Sequence, residues 1–162
     1  MHLTVHTDYA LRLLMLLAVR PDPLHTIDSV AESYGISRNH MSKVVLTLRR
    51  SGFIESVRGR NGGLRLARPA DAIRVGHVVR STEEGFELVE CFDAARNCCR
   101  ITSACGLRHP LDEAIDAFLA VLDRYSLADL VGSPRQRRGI ARLLWADAAT
   151  HPASERTERP ER

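Results

Sequence analysis

Apolar residues recur at helical spacing along most of the chain, and the first such stretch covers residues 4–19. Thr4 or Thr7 is suited to cap a helix here, and two prolines follow its end. Asp8 falls in the first turn, where a carboxylate favours the positive end of the helix dipole. The apolar residues share one face, which predicts a buried side made of Tyr9, Ala10, Leu13, Leu14, Leu16 and Leu17.

Two shorter helical patterns follow, separated by a tight turn. Thr26 is expected to cap the first, Gly35 to stop it, and Ser37 to cap the second, which Gly52 ends. The apolar positions of the second helix repeat at i, i+3, i+4 and i+7, at Met41, Val44, Val45 and Leu48. Its other face carries basic and hydrogen-bonding side chains, namely Arg38, Asn39, His40, Ser42, Lys43, Thr47 and Arg50. This favours a DNA-binding helix-turn-helix over an ordinary helical hairpin.

A predicted hairpin comes next, with strands over residues 53–58 and 64–67. The Asn61-Gly62 step between them favours a hairpin because both residue types tolerate positive φ. A hairpin directly after a helix-turn-helix indicates the wing of a winged helix. Arg58 and Arg60 then lie near its tip, where phosphates or a minor groove come within reach, although arginines there could serve solubility alone.

The remaining chain alternates between helical and irregular patterns. A connector helix is expected over residues 72–81, and a longer helix over residues 110–125. The long helix has an apolar stripe at Leu111, Ile115, Phe118, Leu119, Leu122 and Tyr125, which either packs on the domain or pairs with a second copy; we favour pairing. The predicted fold is therefore mainly α with a small β-wing. Its segments are the winged helix-turn-helix at 1–82, a cysteine segment at 83–106, a dimerisation helix at 107–131, and a tail at 132–162 that is partly helical and then disordered.

Charge is unevenly distributed over these segments. Residues 1–82 contain 12 basic and 6 acidic side chains, whereas residues 83–132 contain 4 and 10, and the whole chain has a net charge of +3. A basic winged helix is consistent with a phosphate backbone as its partner. The apolar run at residues 10–19 is too short for a membrane span and contains Arg12, which predicts a cytoplasmic protein with no membrane partner.

All four cysteines lie within fifteen residues, at Cys91, Cys98, Cys99 and Cys105. The spacing lacks the paired C-x₂-C knuckles of structural zinc sites, and cytoplasmic thiols stay reduced. Thiolates in irregular loops are the usual ligands of iron–sulfur clusters, so a cluster is favoured, with zinc, a thiol–disulfide switch and inert thiols as alternatives. Side chains of the adjacent Cys98 and Cys99 diverge, so three cysteines are expected to bind and one ligand to come from another group.

No feature of the sequence indicates an enzyme. There is no recognisable nucleophile–base pair and no phosphate-binding glycine loop. An electron-transfer or cluster-carrier protein is the rival to a DNA-binding regulator. Such a carrier would have no use for a wing with arginines at its tip.

Four segments together resemble the family of iron–sulfur winged-helix transcriptional regulators, and within it most closely the nitric-oxide-sensing repressors. They are LTVHTDYALRLL at residues 3–14, YGISRNHMSKVV at 34–45, VRGRNGGLRLARPADAIRVGHVVR at 57–80 and NCCRITSACGL at 97–107. The resemblance covers residues 2–131 and leaves the tail outside. It implies a homodimeric repressor that binds operator DNA while its cluster is intact and releases the DNA when nitric oxide attacks the cluster.

The same resemblance implies a ligand set and a DNA-contact set. A 4Fe–4S cluster would be held by Cys91, Cys99 and Cys105 together with Asp8 of the other subunit, with Cys98 as an additional thiol. The family register Asn-x-Cys-x-Ile-x-x-x-Cys falls on Asn97, Cys99, Ile101 and Cys105, which selects Cys99 over Cys98. The candidate DNA contacts are Arg38, Asn39, His40, Ser42, Lys43, Arg58, Arg60 and Asn61. A regulator that senses thiol oxidation or iron status remains the alternative function.

Overall fold

The structure, a computed structural model, describes residues 2–145. Within that range it contains seven α-helices and one two-stranded antiparallel sheet, as the predicted fold class requires. The elements are α1 Val5–Val19, α2 Ile27–Tyr34, α3 Arg38–Arg50, β1 Ile54–Val57, β2 Gly63–Leu66, α4 Val75–Thr82, α5 Arg108–Asp123, α6 Leu127–Val131 and α7 Pro134–Trp145. None of these described helices combines the length and the apolar content that a membrane crossing requires.

Helix α1 lies at the centre of the core. Thr4 caps it by accepting a hydrogen bond from the Thr7 backbone N–H, as predicted. Its buried apolar side chains are Ala10, Leu13, Leu14, Leu16 and Leu17, whereas Tyr9, predicted for the same face, is only half-buried against the core. The helix is in contact with α3, α4, α6, α7 and β2. Each fully buried leucine contributes about 1.5–3 kcal/mol relative to exposure, so this face determines how the surrounding elements pack.

The helix-turn-helix is formed by α2 and α3. Thr26 and Ser37 cap the two helices through their side-chain oxygens, and Gly35 ends α2 in the left-handed region at φ 64°. Met41, Val44, Val45 and Leu48 are all buried, so the predicted inner face of α3 is confirmed. The last helical residue is Arg50, and Gly52 at φ 70° turns the chain into the wing.

The wing is the hairpin of β1 and β2, paired from Ile54 opposite Leu66 to Val57 opposite Gly63. The predicted hairpin is confirmed, and the glycine with positive φ in its turn is Gly59, at φ 121°, not Gly62. Gly62 serves a different purpose. A Cβ there would overlap the carbonyl oxygen of Val57, so only glycine allows the backbone to pass so closely.

The helix predicted over residues 110–125 is α5, but the segment 107–131, which was assigned to one dimerisation helix, contains two helices, α5 and α6. The break lies at Ser126, which forms a capping box with Asp129 at the start of α6. Backbone pairing causes it: Val75 N–H donates to Tyr125 O, and Leu127 N–H donates to Ile73 O. This pairing draws the chain back beside the residues that precede α4, and a continuous helix could not form it.

The apolar stripe predicted for α5 packs mainly within the chain. Ile115 and Leu119 are buried against Val75 and Val79 of α4, with Phe118 and Leu122 beside them, and only Tyr125 is largely exposed. Helix α7 shows that the first part of the tail also belongs to the fold, since the Trp145 ring stacks on His25 at 5.7 Å. The predicted disorder after Thr150 concerns residues outside those that the structure describes.

The conformation of Gly35 leads to a prediction about stability. Gly35→Ala should lower the free energy of unfolding by about 1 kcal/mol, because the left-handed backbone is strained for alanine. A Cβ there has no neighbour within 4 Å, so backbone strain is the whole effect. Urea unfolding followed by circular dichroism measures it. The matched control is Gly139→Ala in α7, also with open space around a Cβ, which should be neutral or stabilising; equal losses in both variants would contradict the assignment.

Candidate DNA interface and cluster-binding segment

The outer face of α3 is polar and accessible. Arg38, Asn39, His40 and Lys43 are exposed, and Ser42 is half-buried. Arg38 is held by an ion pair of 2.5 Å to Asp28 in the first turn of α2, so one of its edges is already engaged. The remaining side chains face outward from a helix that is held on its other side by the core. Such a helix can present them together to the edges of bases.

Leu46 is an apolar residue on this polar face, and it is not among the DNA contacts predicted from the sequence. It is 55% exposed, and it lies one helical turn after Ser42 and Lys43. An exposed leucine among hydrogen-bonding side chains of a DNA-reading helix is suited to contact a thymine methyl group. Helical periodicity could have identified it, because position 46 falls outside the buried i, i+3, i+4, i+7 repeat.

The tip of the wing places Arg58, Arg60 and Asn61 in solvent. Within residues 2–145 neither arginine forms an ion pair, whereas Arg65 further along the hairpin pairs with Glu55 across the strands at 2.5 Å. Two guanidinium groups that are not neutralised by these neighbours are suited to bind phosphate oxygens.

Arg68 fixes the wing relative to the recognition helix α3. Its guanidinium donates two hydrogen bonds to the carbonyl oxygen of Gly52, at 3.2 and 2.8 Å, and lies 5.4 Å from the Phe53 ring centroid. Gly52 follows the end of α3, and Phe53 is fully buried. The hairpin is therefore braced at its root, so that α3 and the wing tip can approach a duplex as one surface.

The cysteine segment, residues 83–106, is a succession of turns with one 3₁₀ turn at Glu90–Phe92. Asn97 organises its second half, because its side-chain oxygen accepts hydrogen bonds from the Cys99 backbone N–H and the Thr102 hydroxyl, both at 3.1 Å. This Asx-type turn gives a physical reason for an asparagine two residues before Cys99.

All four thiols are free. Cys98 is exposed, whereas Cys91, Cys99 and Cys105 are half-buried. Three partly shielded thiols in an irregular segment have the donor chemistry that iron–sulfur clusters use. In the described part of the single chain, however, no three His, Cys, Asp or Glu side chains converge on a point where a metal ion could bind. The three thiols therefore have the right chemistry for a cluster, but they do not converge on one point in the described residues of a single chain.

Asp8 lies on a different surface, in the first turn of α1. Its carboxylate pairs with Arg12 one turn later, at 2.6 Å between Nη2 and Oδ2, and both side chains are 46% exposed. The carbonyl of Arg12 accepts a hydrogen bond of 2.9 Å from the Tyr34 hydroxyl at the end of α2. Burial raises the pKa of the Tyr34 phenol to about 12, against the smaller opposing attraction of the Arg12 guanidinium. An accessible carboxylate on a helix held in this way is available to a second protein copy.

Comparison with known families agrees with this geometry. The model of the Rrf2 family, described as iron-dependent transcriptional regulators, matches residues 3–133. The HTH-type transcriptional regulator NsrR of Bacillus subtilis strain 168 is 50% identical over 145 residues, which are 89% of this chain and 97% of that protein. The NsrR of Bacillus licheniformis is 46% identical over 132 residues, which are 81% and 92% of the two chains.

Solved structures share the fold. CymR, the global cysteine regulator of B. subtilis, superposes with a TM-score of 0.65 at 26% identity, over 82% of this chain and 97% of that one. IscR of T. potens gives the same TM-score at 23% identity, over 82% and 87% of the two chains. At that identity the likeness to IscR concerns the fold alone.

The environment of Tyr34 predicts an alkaline transition. One of the three tyrosines should ionise only near pH 12 in the folded protein, and Tyr34→Phe should remove that step from a titration of phenolate absorbance. Because folding raises this pKa above its ordinary value of about 10, the neutral phenol stabilises the fold below pH 10, and this contribution is lost between pH 10 and 12. A titration in which Tyr34→Phe leaves the late step in place would show that another tyrosine is responsible.

Proposed function

Because this chain belongs to the Rrf2 family of transcriptional regulators, we propose that it is a nitric-oxide-sensing repressor that binds operator DNA as a homodimer. It is a regulator and not an enzyme, as are its relatives. The observation that carries the proposal is the combination, in one fold, of an accessible recognition face and three half-buried free thiols. We also propose a cytoplasmic location, where operator DNA would be reached.

The DNA interface consists of the recognition face and the wing tip. Its members are Arg38, Asn39, His40, Ser42, Lys43, Arg58, Arg60 and Asn61. Base edges would be read by α3, while the arginines of the wing bind the phosphate backbone or a minor groove. The bracing of the wing by Arg68 supports this division, because the two parts keep a constant separation. Displacement of counterions from the phosphates makes the affinity depend on salt.

A second apolar stripe on α5 supports the homodimer. The stripe that was noted in the sequence packs against α4, but another set of apolar residues faces solvent at alternating spacings of three and four. Its members, all exposed, are Leu107, Pro110, Ala114, Ala117 and Val121. This is the repeat by which two helices pair, and its small alanines permit close approach. Two copies joined along α5 would present two recognition helices to a palindromic site.

We propose that the iron–sulfur cluster is of the 4Fe–4S form. Three of its ligands would come from one subunit, Cys91, Cys99 and Cys105, and the fourth would be Asp8 of the partner subunit. When bound, the cluster supplies iron that reacts with nitric oxide. Cys99 is favoured over Cys98 because it is half-buried and its backbone is held by Asn97, whereas Cys98 is exposed. Asp8 can leave Arg12 at small cost, since an exposed ion pair of this kind contributes about 0.2–1 kcal/mol.

The residues of this chain would convert that ligation into DNA affinity. Engaging Asp8 holds α1 of one copy against the cysteine segment of the other. Since α1 is packed on α3 through the core, the spacing of the two recognition helices becomes tied to the ligation of Asp8. When Asp8 is released from the cluster site, it can pair with Arg12 again, and the distance between the two recognition helices is no longer fixed. A coupling of about 1–3 kcal/mol is enough to change occupancy of a site many-fold.

A thiol switch is the second candidate, and the exposed thiol of Cys98 beside the half-buried Cys99 is the observation that favours it. Oxidation of an accessible thiol could alter the same segment without any iron. Iron status as the signal would use the same cluster ligands as the main proposal. A cluster carrier that does not bind DNA would leave the recognition face and the wing tip without a role.

The main test is a titration of the anaerobic, cluster-loaded protein with nitric oxide. The DNA is a palindromic duplex that the cluster-loaded protein has selected from random sequences. Visible absorbance and binding to this duplex are followed in the same titration. Bleaching and loss of binding should proceed in parallel, with affinity falling by roughly 5- to 150-fold. Bleached protein that binds DNA as before would refute sensing. Colourless anaerobic protein with a disulfide at Cys98 or Cys99 would support the thiol switch.

The proposed role of Asp8 is tested by its removal. Asp8→Ala should speed the loss of cluster absorbance under a chelator by at least several-fold while leaving the fold intact, because only a ligand is lost. Two controls should retain the cluster as the parent protein does. Asp28→Ala removes another exposed first-turn carboxylate that is paired with an arginine, and Cys98→Ser removes the thiol outside the ligand set. Unchanged retention in Asp8→Ala, measured against both controls, would count against Asp8.

A further inference from the structure

The first turn of α1 makes hydrogen bonds in two directions. One set reaches the start of the cysteine segment, and another reaches the recognition helix α3. Asp8, the carboxylate proposed as a cluster ligand from the partner subunit, belongs to the same turn and faces solvent with Arg12. Three functionally different parts of the protein therefore meet within a few residues of one helix.

Thr4 contacts the first residue of the cysteine segment, and Thr7 contacts Thr82, the last residue of α4, immediately before that segment. Glu83, the first residue of that segment, accepts hydrogen bonds at one oxygen from the Thr4 backbone N–H at 2.8 Å and from the Thr4 hydroxyl at 3.0 Å. The Thr7 hydroxyl donates to the hydroxyl of Thr82 at 2.9 Å, and both of these threonines are buried. Because the Thr7–Thr82 bond is shielded from water, the end of α4 cannot shift without affecting α1.

The contact to the recognition helix is made by His6. Its Nε2 lies 3.1 Å from the Thr47 hydroxyl, and both side chains are half-buried. The ring of Tyr9, one turn later, lies 6.3 Å from the ring of His40 near the start of α3. Helix α1 therefore contacts the recognition helix at two points along its length, at Thr47 and at His40. Thr47 is three residues before the end of the helix, and it borders the face assigned to DNA.

We infer that His6 and Thr47 are positioning residues, which couple the state of the cysteine segment and of Asp8 to the placement of α3. This inference deepens the proposed function and rests on it. Displacement of the first turn of α1 strains this directional hydrogen bond, in addition to displacing the apolar side chains that pack α1 on α3. His6 and Asp8 are two positions apart on a helix and so point to different sides, one toward α3 and one outward.

The test compares DNA affinity with and without the cluster, and uses the ratio of the two affinities as the readout. His6→Ala and Thr47→Val should each reduce that ratio by roughly fivefold, the equivalent of one hydrogen bond, with the visible spectrum of the cluster unchanged. Thr47→Ser keeps the hydroxyl and should restore the ratio. Ser42→Ala, on the DNA-facing surface of the same helix, is the matched control. It should weaken both forms equally and leave the ratio as in the parent protein.

A second measurement needs no cluster. In thermal unfolding of the metal-free protein, the effects of His6→Ala and Thr47→Val should be non-additive, because the two variants remove the same bond. The outcomes separate the two hypotheses. If the DNA affinity of the parent protein is the same with and without the cluster, the proposed function is wrong. If both variants keep the parent ratio of the two DNA affinities, or if their effects on unfolding are additive, only the role of His6 and Thr47 is wrong.

Discussion

The burial of α1 is the constraint on which the rest of this structure depends. Its apolar face is fully enclosed, and α3, α4, α6, α7 and β2 are all in contact with it. Such a helix cannot rotate without opening the core, and interiors packed at crystal-like density transmit displacement. A helix held in this way can carry a small change at its first turn to whatever rests on it. That property suits it to connect the cysteine segment with α3 of the helix-turn-helix.

The winged helix and the cysteine segment are held together by different kinds of contact. The winged helix has side-chain caps at the starts of α1, α2 and α3 and is braced by Arg68. The cysteine segment is held together by turns and by side-chain contacts such as those of Asn97. Charge follows the same division, since residues 1–82 contain 12 basic and 6 acidic side chains, whereas residues 83–132 contain 4 and 10. Rigidity benefits DNA reading because base contacts require fixed spacing. An irregular segment would suit the proposed cluster, because its ligands have to adjust around an inorganic group.

Local signals predicted the winged helix well because they act within a few residues. Thr26, Gly35 and Ser37 each mark a helix boundary through their own hydrogen bond or backbone conformation, independently of distant chain. The sequence does not show which glycine of the wing turn adopts positive φ, because Gly59 and Gly62 both allow it, and only the approach of Val57 to Gly62 distinguishes them. The division of residues 107–131 into two helices was not predicted for a similar reason, since it depends on the pairing of Ser126 with Arg74, far earlier in the chain.

The sequence by itself determined the helix-turn-helix, the wing, the cluster of thiols and the family resemblance, because these follow from local spacing and residue chemistry. Only the tertiary structure decided which apolar stripe of α5 faces α4 and which remains free, because both stripes have helical spacing. It also decided that Thr4 meets Glu83 and that His6 meets Thr47. Such pairs are separated by tens of residues, and a polar side chain gives no sign of its distant partner until packing brings the two together.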